Sequence, residues 1–588
     1  ASDDTMKIKS YDNINWLRAR KELLVNQEKL VEAFRSKNNE AVVEMQSLIT
    51  YSFAARCLAV REVVSTKGGK TSGVDGILLD SPTKRWSAIQ KLKFITEHPK
   101  EYIASPVKRV MIPKGIGSSE KRPLGIPTLI DRCLQRLYLY SIDPIIEGSS
   151  DHKSFGFRKY RNAHHAIVKI RHLLEKDSSP RYILDADIEK CFDKILHSFL
   201  LKHTPILHSS ILESWLNSGI LINDIFYEST EGVPQGGVIS PLLCNVALNG
   251  LEDVVKEKGE EIYRRIREKG DKTLSKLHVV RFADDFIVTG SSSRLIQEVK
   301  PVIEEFLSER GLRLHPKKTK LVTTDEGFDF LGYTVLRRNY NPRLNNLSKS
   351  KTRILILPSS KSRAKFLEMI KAGIDKSKPI ESIIRELNPK IRGWGNYFRI
   401  SYHSTRRYKV LADLVWHKMW RWAKTKHKGR NAEWIFLKYT RESKWRTRHW
   451  GTSEMLLQDL STMTPLKIFH MPTGLNPYVE EERKILELRI WKDYKGDEDG
   501  TLREKVLRAQ GGHCLCCGSS ILGSEEKIEL HHILSILEGG TWGYKNLCLL
   551  HETCHKQVTK NKLLNEKIAH RRKIGKDWIT LLIVPSQD

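Results

Sequence analysis

The feature that most constrains this chain is a pair of adjacent acids in VVRFADDFIV, where Asp284 and Asp285 are flanked on both sides by apolar, β-type runs. The pattern predicts two strands with the acids at the hairpin turn between them. Neighbouring carboxylates in an apolar setting repel each other and are costly to desolvate unless a cation neutralises them. A second acidic segment, RYILDADIEKCFDKI, puts Asp185 and Asp187 on one strand face, because strand side chains alternate, with Asp187 where the apolar run gives out. Three carboxylates drawn from these two segments would suit Mg²⁺, which takes a few carboxylate oxygens and completes its shell with water and phosphate. Asp is also common in turns, and the dipeptide alone reads first as a turn.

The surrounding chain is strongly basic. Its 588 residues carry 100 Lys+Arg against 70 Asp+Glu, a formal net charge of +30, which predicts a polyanionic partner. This length implies about three to five domains and excludes a single small binding module. With 40% hydrophobic residues and 13 Trp, the chain is too rich in core formers to be a basic disordered tail. No stretch approaches the ~18 consecutive apolar residues of a membrane span, and ASDDTMKIKS has neither an apolar signal core nor an Arg-rich presequence. No membrane partner and an intracellular location, in a bacterial cytoplasm or an organelle matrix, are therefore expected. Ala1 is not an initiator residue, which fits a trimmed, tagged or longer reading frame.

The texture divides the chain. Residues 12–65 carry helical periodicity, with Leu23, Leu30, Val31 and Phe34 set among Lys, Glu and Arg. From about 105 to 335, short β-rich runs alternate with helical segments, an α+β pattern. After a basic, Asn- and Ser-rich linker the pattern is helical again to about 425, where Arg392, Arg406, Arg407, Arg421 and Lys424 lie among aromatics. Trp416 and Trp420, one turn apart, read as core, and the basic residues as phosphate contacts. Residues 430–500 are mixed and rich in aromatics.

Five of the nine cysteines crowd the last part of the chain. Cys514 and Cys517 have C-x₂-C spacing, and His551 with Cys554 supplies an H-x₂-C pair, four N/S ligands suited to tetrahedral, structural Zn²⁺. Cys516 is a further possible ligand, although it breaks the knuckle spacing. Cys548, within the apolar LCLL, reads as an inert thiol.

FADD between apolar runs resembles the YADD box of reverse transcriptases, and LDADIEKCFDKI resembles their first carboxylate motif. TSGVDGI, IPKGIGSSEKRPLGIPTLIDR, SFGFRKYRNAHHAI, GVPQGGVISPLLCN, LRLHPKKTKLV and FDFLGY follow in family order and resemble blocks of reverse transcriptases encoded by group II introns. NPKIRGWGNYF resembles the signature of the maturase, or thumb, domain of those proteins. The departure is Phe282 in place of the usual Tyr, which keeps the ring, and activity is expected to survive it.

The resemblance implies Asp187, Asp284 and Asp285 as ligands of two Mg²⁺ ions, one activating a 3′ hydroxyl and the other stabilising the leaving pyrophosphate. Asp185 and Asp193 are then structural or solvated acids. It implies Lys114 and Arg122 as neutralisers of the dNTP triphosphate, Phe192 as a steric gate against a ribose 2′ hydroxyl, and Gln235 in PQGG beside the nascent base pair. Lys318 is a weaker candidate for protonating pyrophosphate, and FLGY would hold the primer end.

His531-His532, Asn546 and His555 resemble the HNH endonuclease motif. That implies His532 as the general base, Asn546 as the residue that orients water, and His531 with His555 as ligands of one catalytic divalent ion. A zinc finger that only binds DNA is the plainer reading of the same cassette.

The resemblance covers the whole chain and implies a multidomain α+β protein. Its expected parts are an N-terminal helical extension (1–65), right-hand fingers and palm (66–335), a helical thumb or maturase domain (336–430), a DNA-binding region (431–505) and a small zinc-containing HNH domain of ββα-metal type (506–588). The implied partners are group II intron RNA, target DNA and dNTPs, held in a ribonucleoprotein that splices and retrohomes. A splicing factor without catalysis is the main rival, and decayed acidic or HNH positions would be its sign. A defence or retron-like polymerase, and a homing nuclease with an incidental polymerase, are the others.

Overall fold

The computed structural model describes residues 10–113, 121–223, 225–268, 273–339, 352–400, 405–442, 448–494, 502–522 and 526–574. Helices Trp16–Arg35, Asn39–Thr50 and Phe53–Ser65 begin at Asn15, Asn38 and Ser52, whose side chains accept from the backbone N–H three residues on. Their apolar faces close over helix Leu129–Gly148, whose first turn is fixed by Thr128 and Asp131.

Strands β1 (Val107–Pro113) and β2 (Lys121–Ile126) form an antiparallel finger hairpin. Strand β3 (Tyr182–Asp187) is the central palm strand. Strands β4 (Ile220–Ile222) and β5 (Ile225–Tyr227) extend the finger sheet in the order β2-β1-β4-β5. The palm sheet is completed by β6 (His278–Phe282), β7 (Asp285–Gly290) and β8 (Lys320–Thr323), in the order β6-β7-β3-β8 with antiparallel neighbours.

Strand alternation makes this palm sheet a wall between two cores. Leu184, Ala186, Val279, Phe286 and Val288 face the core shared with the N-terminal helices. Ile183, Val280 and Ile287 face a second core shared with the strands and helices that follow residue 328. Asp185, Asp187 and Asp285 have the parity of Ile183 and Ile287, so the acids continue an apolar stripe to the end of the sheet, where the core stops.

Strands β9 (Phe328–Phe330), β10 (Tyr333–Asn339) and β11 (Thr352–Pro358) form a separate antiparallel sheet that runs across residue 335. Helices Ser360–Gly373, Ile380–Phe398 and Thr405–Lys426 follow. Trp394 packs against Phe366, Phe398 and Tyr408, and Trp416 and Trp420 both meet Trp450, so these aromatics are packing residues. Arg392, Arg406, Arg407, Arg421 and Lys424 are exposed on the same helices. Strands β12 (Thr440–Glu442) and β13 (Arg448–Trp450) and helix Glu480–Tyr494 lead to the last module. That module pairs β14 (Ile528–His532) with β15 (Leu547–His551) and adds helix Glu552–Lys560, a ββα unit. No helix among the described residues is long and apolar enough to cross a membrane.

Candidate active sites and metal centres

The palm brings the three acids named above together. Asp187 of β3 is the direct cross-strand partner of Asp285, and Asp284 occupies the turn that joins β6 to β7. The pair expected at a turn is thus divided, because Asp285 is already the first residue of a strand. Desolvation, then repulsion from Asp284, Asp187 and Asp185, pushes the Asp285 carboxyl up to about 7. Its side chain opens to solvent, so repulsion is the cause that an accessible carboxylate keeps. Burial raises Asp284, and burial with repulsion from Asp329 and Asp187 brings Asp185 to about 6. Lys318 sets its Nζ 3.0 Å from Asp187 Oδ2, a mobile cation at a place that calls for positive charge. Hard oxygen donors crowded in this way fit divalent Mg²⁺.

Residues that the sequence did not single out hold the turn in place. Ala283 takes a left-handed φ of 57°, and the turn lies on Gly156, where a Cβ would come within 2.2 Å of Ala283 N. Arg281 is buried behind the acids. It donates to Asn245 Oδ1 at 3.1 Å and Asn249 Oδ1 at 2.9 Å and lies 3.7 Å from Asp151. Asn245 in turn donates to the Gly156 carbonyl at 3.1 Å. An arginine inside the apolar run VVRF was the available signal, since a buried guanidinium needs several acceptors.

Around this centre, Phe192 follows β3 on the short helix Cys191–Lys194 and meets Phe157 edge-on at 6.2 Å. Its carbonyl accepts from Val233, and the Gln235 carbonyl accepts from Gly125 of β2. The PQGG loop is therefore clamped between palm and fingers. Arg122 is exposed on β2, and its charge works against burial at Asp284. Lys114 lies outside the described residues. Asp193 sits beside Gly232, where no side chain would fit. The FLGY segment touches the maturase signature: Tyr397 donates to the Leu331 carbonyl at 2.8 Å, and Tyr333 donates to the Tyr397 carbonyl.

The second centre lies in the ββα module. One ligand atom from each of Cys514, Cys517, His551 and Cys554 falls within 4.8 Å of the others, and all four residues are buried. Such a soft, close, buried N/S set fits tetrahedral Zn²⁺. Burial opposes charge on Cys554, yet hydrogen bonds from Cys514, Cys516 and Cys517, with Arg61 nearby, hold its thiol well below the ordinary range. Cys516 is buried outside the four, and Cys548 is buried in β15 opposite His531.

His531 and His532 end β14, so they point to opposite faces. His531 lies 5.1 Å from His555, ring to ring, and its Nε2 is 3.0 Å from Asn565 Oδ1. Burial lowers the His531 pKa and favours a neutral, ligating imidazole. His555 Nδ1 is 2.7 Å from Glu529, which shares the His531 face of β14 and was legible from period-two spacing in ELHH. On the other face His532 packs edge-on against Trp542 at 4.4 Å, and its Nε2 has no hydrogen-bond partner among the described residues. The Asn546 side chain is engaged by backbone: it accepts from Leu534 and donates to the Leu534 and Thr541 carbonyls. It clips the loop that follows His532.

A carboxylate-bearing palm sheet beside a finger sheet, joined to a ββα unit with a buried Cys/His cluster, defines a polymerase fused to a nuclease. Residues 112–335 match the family described as reverse transcriptase (RNA-dependent DNA polymerase), and residues 11–92 match the N-terminal domain of reverse transcriptase. Residues 363–440 match the group II intron, maturase-specific domain, and residues 514–561 match HNH endonuclease. Protein YkfC of Escherichia coli is 32% identical over 311 residues, covering 48% of this chain and 80% of its own. Group II intron-encoded protein LtrA of Lactococcus lactis is 26% identical over 472 residues, covering 67% of this chain and 77% of its own. The putative COX1/OXI3 intron 2 protein of Saccharomyces cerevisiae is 27% identical over 329 residues, 47% of this chain and 37% of its own. The chain belongs to the group II intron-encoded proteins and carries reverse transcriptase, maturase and HNH endonuclease domains.

Proposed function

We propose that Asp187, Asp284 and Asp285 are the metal ligands of the polymerase, and that the chain copies its own intron RNA into DNA at a target that its nuclease has nicked. The observation that carries this reading is the cross-strand pairing of Asp187 with Asp285, with Asp284 in the adjoining turn. When bound there, Mg²⁺ ions supply the Lewis acidity that activates a 3′ hydroxyl and offsets charge on the leaving pyrophosphate. The protein's own part is to hold the three carboxylates rigidly, by strand pairing on one side and the Arg281–Asn245–Gly156 chain on the other. Arg122 and Lys114 neutralise the incoming triphosphate. Phe192, set edge-on against Phe157, fills the space of a ribose 2′ hydroxyl and selects dNTPs, while the PQGG loop with Gln235 abuts the nascent base pair. Lys318, whose Nζ lies 3.0 Å from Asp187 Oδ2, would protonate the leaving pyrophosphate.

In the nuclease, His532 takes the proton of the attacking water at its buried, unpartnered Nε2, which the bound substrate must reach past Trp542, and Asn546 fixes the loop that aims it. Glu529, His531 and His555 form the face that would hold a divalent ion at the scissile phosphate. Zn²⁺ on Cys514, Cys517, His551 and Cys554 is structural. The exposed Arg392, Arg406, Arg407, Arg421 and Lys424 grip intron RNA, residues 431–505 contact DNA, and residues 506–588 cut it.

Primer extension by the purified chain on a generic RNA template, with dNTPs and Mg²⁺, tests the polymerase assignment. cDNA from the native chain and none from an Asp284→Ala, Asp285→Ala variant is the expected result. Equal cDNA from both would remove these acids from the site, and none from a folded, RNA-binding native chain would favour the splicing-factor reading.

A further inference from the structure

The Cys/His cluster is not closed off by its own module. Arg61, on helix Phe53–Ser65 of the N-terminal region, places Nη2 2.9 Å from Cys554 Sγ across 493 residues of sequence. The side chain is 6% exposed, its guanidinium lies 4.9 Å over the Trp16 ring, and it stands 3.7 Å from Glu526. Glu526 is itself held by the Thr553 N–H and hydroxyl, next to Cys554. A guanidinium from the polymerase is thus buried against a ligand sulfur of the nuclease.

We propose that Arg61 is the outer partner of this metal centre, and that metal loading docks the nuclease against the N-terminal helices of the polymerase. The inference rests on the zinc reading given above. Three thiolates and a neutral imidazole around a divalent ion leave one net negative charge in a buried place, where an uncompensated charge is costly. Glu526 adds a second. Arg571, which donates to the Leu515 and Cys516 carbonyls beside the cluster, supplies one compensating charge from within the module. Arg61 supplies a second, at the ligand sulfur itself. The bound ion also fixes Cys554 to one position, and that position is what Arg61 meets.

A further contact between polymerase and nuclease runs through helix Glu480–Tyr494, where Glu487 accepts from Tyr160 at 2.8 Å and lies 3.4 Å from His513. Loss of the metal therefore opens the Arg61 face locally and does not release the module outright. Because coupling is reciprocal, whatever the ion adds to docking, docking adds to affinity for the ion.

The test uses the full chain. Zinc affinity is measured by competition with a chromophoric chelator for the native protein, Arg61→Met and Arg61→Lys, with primer extension as the check that the N-terminal helices fold. Arg61→Met is expected to weaken zinc binding about tenfold, the lower end for outer-shell partners, with Arg61→Lys between it and the native chain. In parallel, hydrogen exchange of the native protein is followed before and after zinc removal, which needs no variant to fold. Faster exchange in Phe53–Ser65 and around Trp16 on removal, with helix Leu129–Gly148 unchanged, supports the proposal. Unchanged exchange in Phe53–Ser65, or an unchanged affinity in a folded Arg61→Met chain, overturns it while the zinc reading stands. A native chain that binds no zinc overturns both.

Discussion

The palm carboxylates and the Cys/His cluster both crowd groups that repel or resist burial, and the chain handles the crowding differently in each. In the palm the acids come from segments about a hundred residues apart and are partly exposed, and Asp284 and Asp285 keep raised proton affinities. In the nuclease four ligands from two short segments are wholly buried, with arginines supplied from outside the set. An open cluster leaves coordination positions for substrate, which chemistry needs, whereas a closed one spends every position on architecture. The same difference appears inside the ββα unit, where the buried zinc-type cluster stands beside the more open face of Glu529, His531 and His555.

The comparison breaks most visibly if the two centres are not independent in their chemistry. Asp284→Ala with Asp285→Ala is expected to lower primer extension by at least about 10³-fold, since metal ligation contributes several kcal/mol to the transition state. DNA nicking by the same variant should persist, and His532→Ala should show the reverse, with nicking down by about 10²–10⁴-fold and cDNA synthesis retained. A double loss from either variant would join sites that the fold keeps apart.

The next effect concerns the closed cluster alone. Cys514→Ser or Cys517→Ser should destabilise the nuclease module by the several kcal/mol that a structural zinc supplies there. Two transitions in calorimetry are expected, with the nuclease one displaced by far the more. A single unchanged transition would mean that the cluster does not support its module.

The open cluster should leave a smaller mark, in pH. Asp285 titrates near 7 and Asp185 near 6 in the fold, against an ordinary 3.8, so the native state holds protons that the unfolded chain has lost. Their stabilising contribution is complete below about pH 4 and is lost as pH rises through about 7. The melting temperature in Mg²⁺-free buffer, with zinc left in place, should therefore fall across that window on account of these groups. Mg²⁺ should restore it most at the alkaline end, and Asp285→Asn should flatten the dependence. A Mg²⁺ effect that is larger at pH 5 than at pH 8 would contradict this sign.

The smallest effect expected is that of Phe282→Tyr. The ring sits at the end of β6, opposite Asp285, and a hydroxyl added there should change primer extension by less than about twofold, because the residue acts through packing. A larger gain would give that hydroxyl a role in the site.

Much of the architecture was legible because it is local. The strands of the palm, the turn at Asp284, the helices after residue 360 and the two ligand pairs of the Cys/His cassette all follow from period-two or helical spacing and short-range motif order. The packing roles of Trp416 and Trp420 were readable from one-turn spacing, whereas the exposure of Lys424, one turn beyond Trp420 on the same stripe with its Nζ 5.8 Å from that ring, was not. Asn546 was less readable. Its motif position implied a contact with water, and its side chain instead holds the backbone at Leu534 and Thr541, a partnership set by how one loop folds back.

By itself, then, the sequence determined which residues carry chemistry and which elements bear them, since neighbours along a strand or helix are fixed by the backbone repeat. Only the tertiary structure decided what stands opposite: Asp285 across from Asp187, Lys318 beside it, Arg281 beneath the turn, and Arg61 against Cys554. Those pairings join segments tens to hundreds of residues apart, and they depend on how two cores pack against one sheet and how one module seats on another. No local repeat encodes that path; it is fixed by the burial of the whole chain.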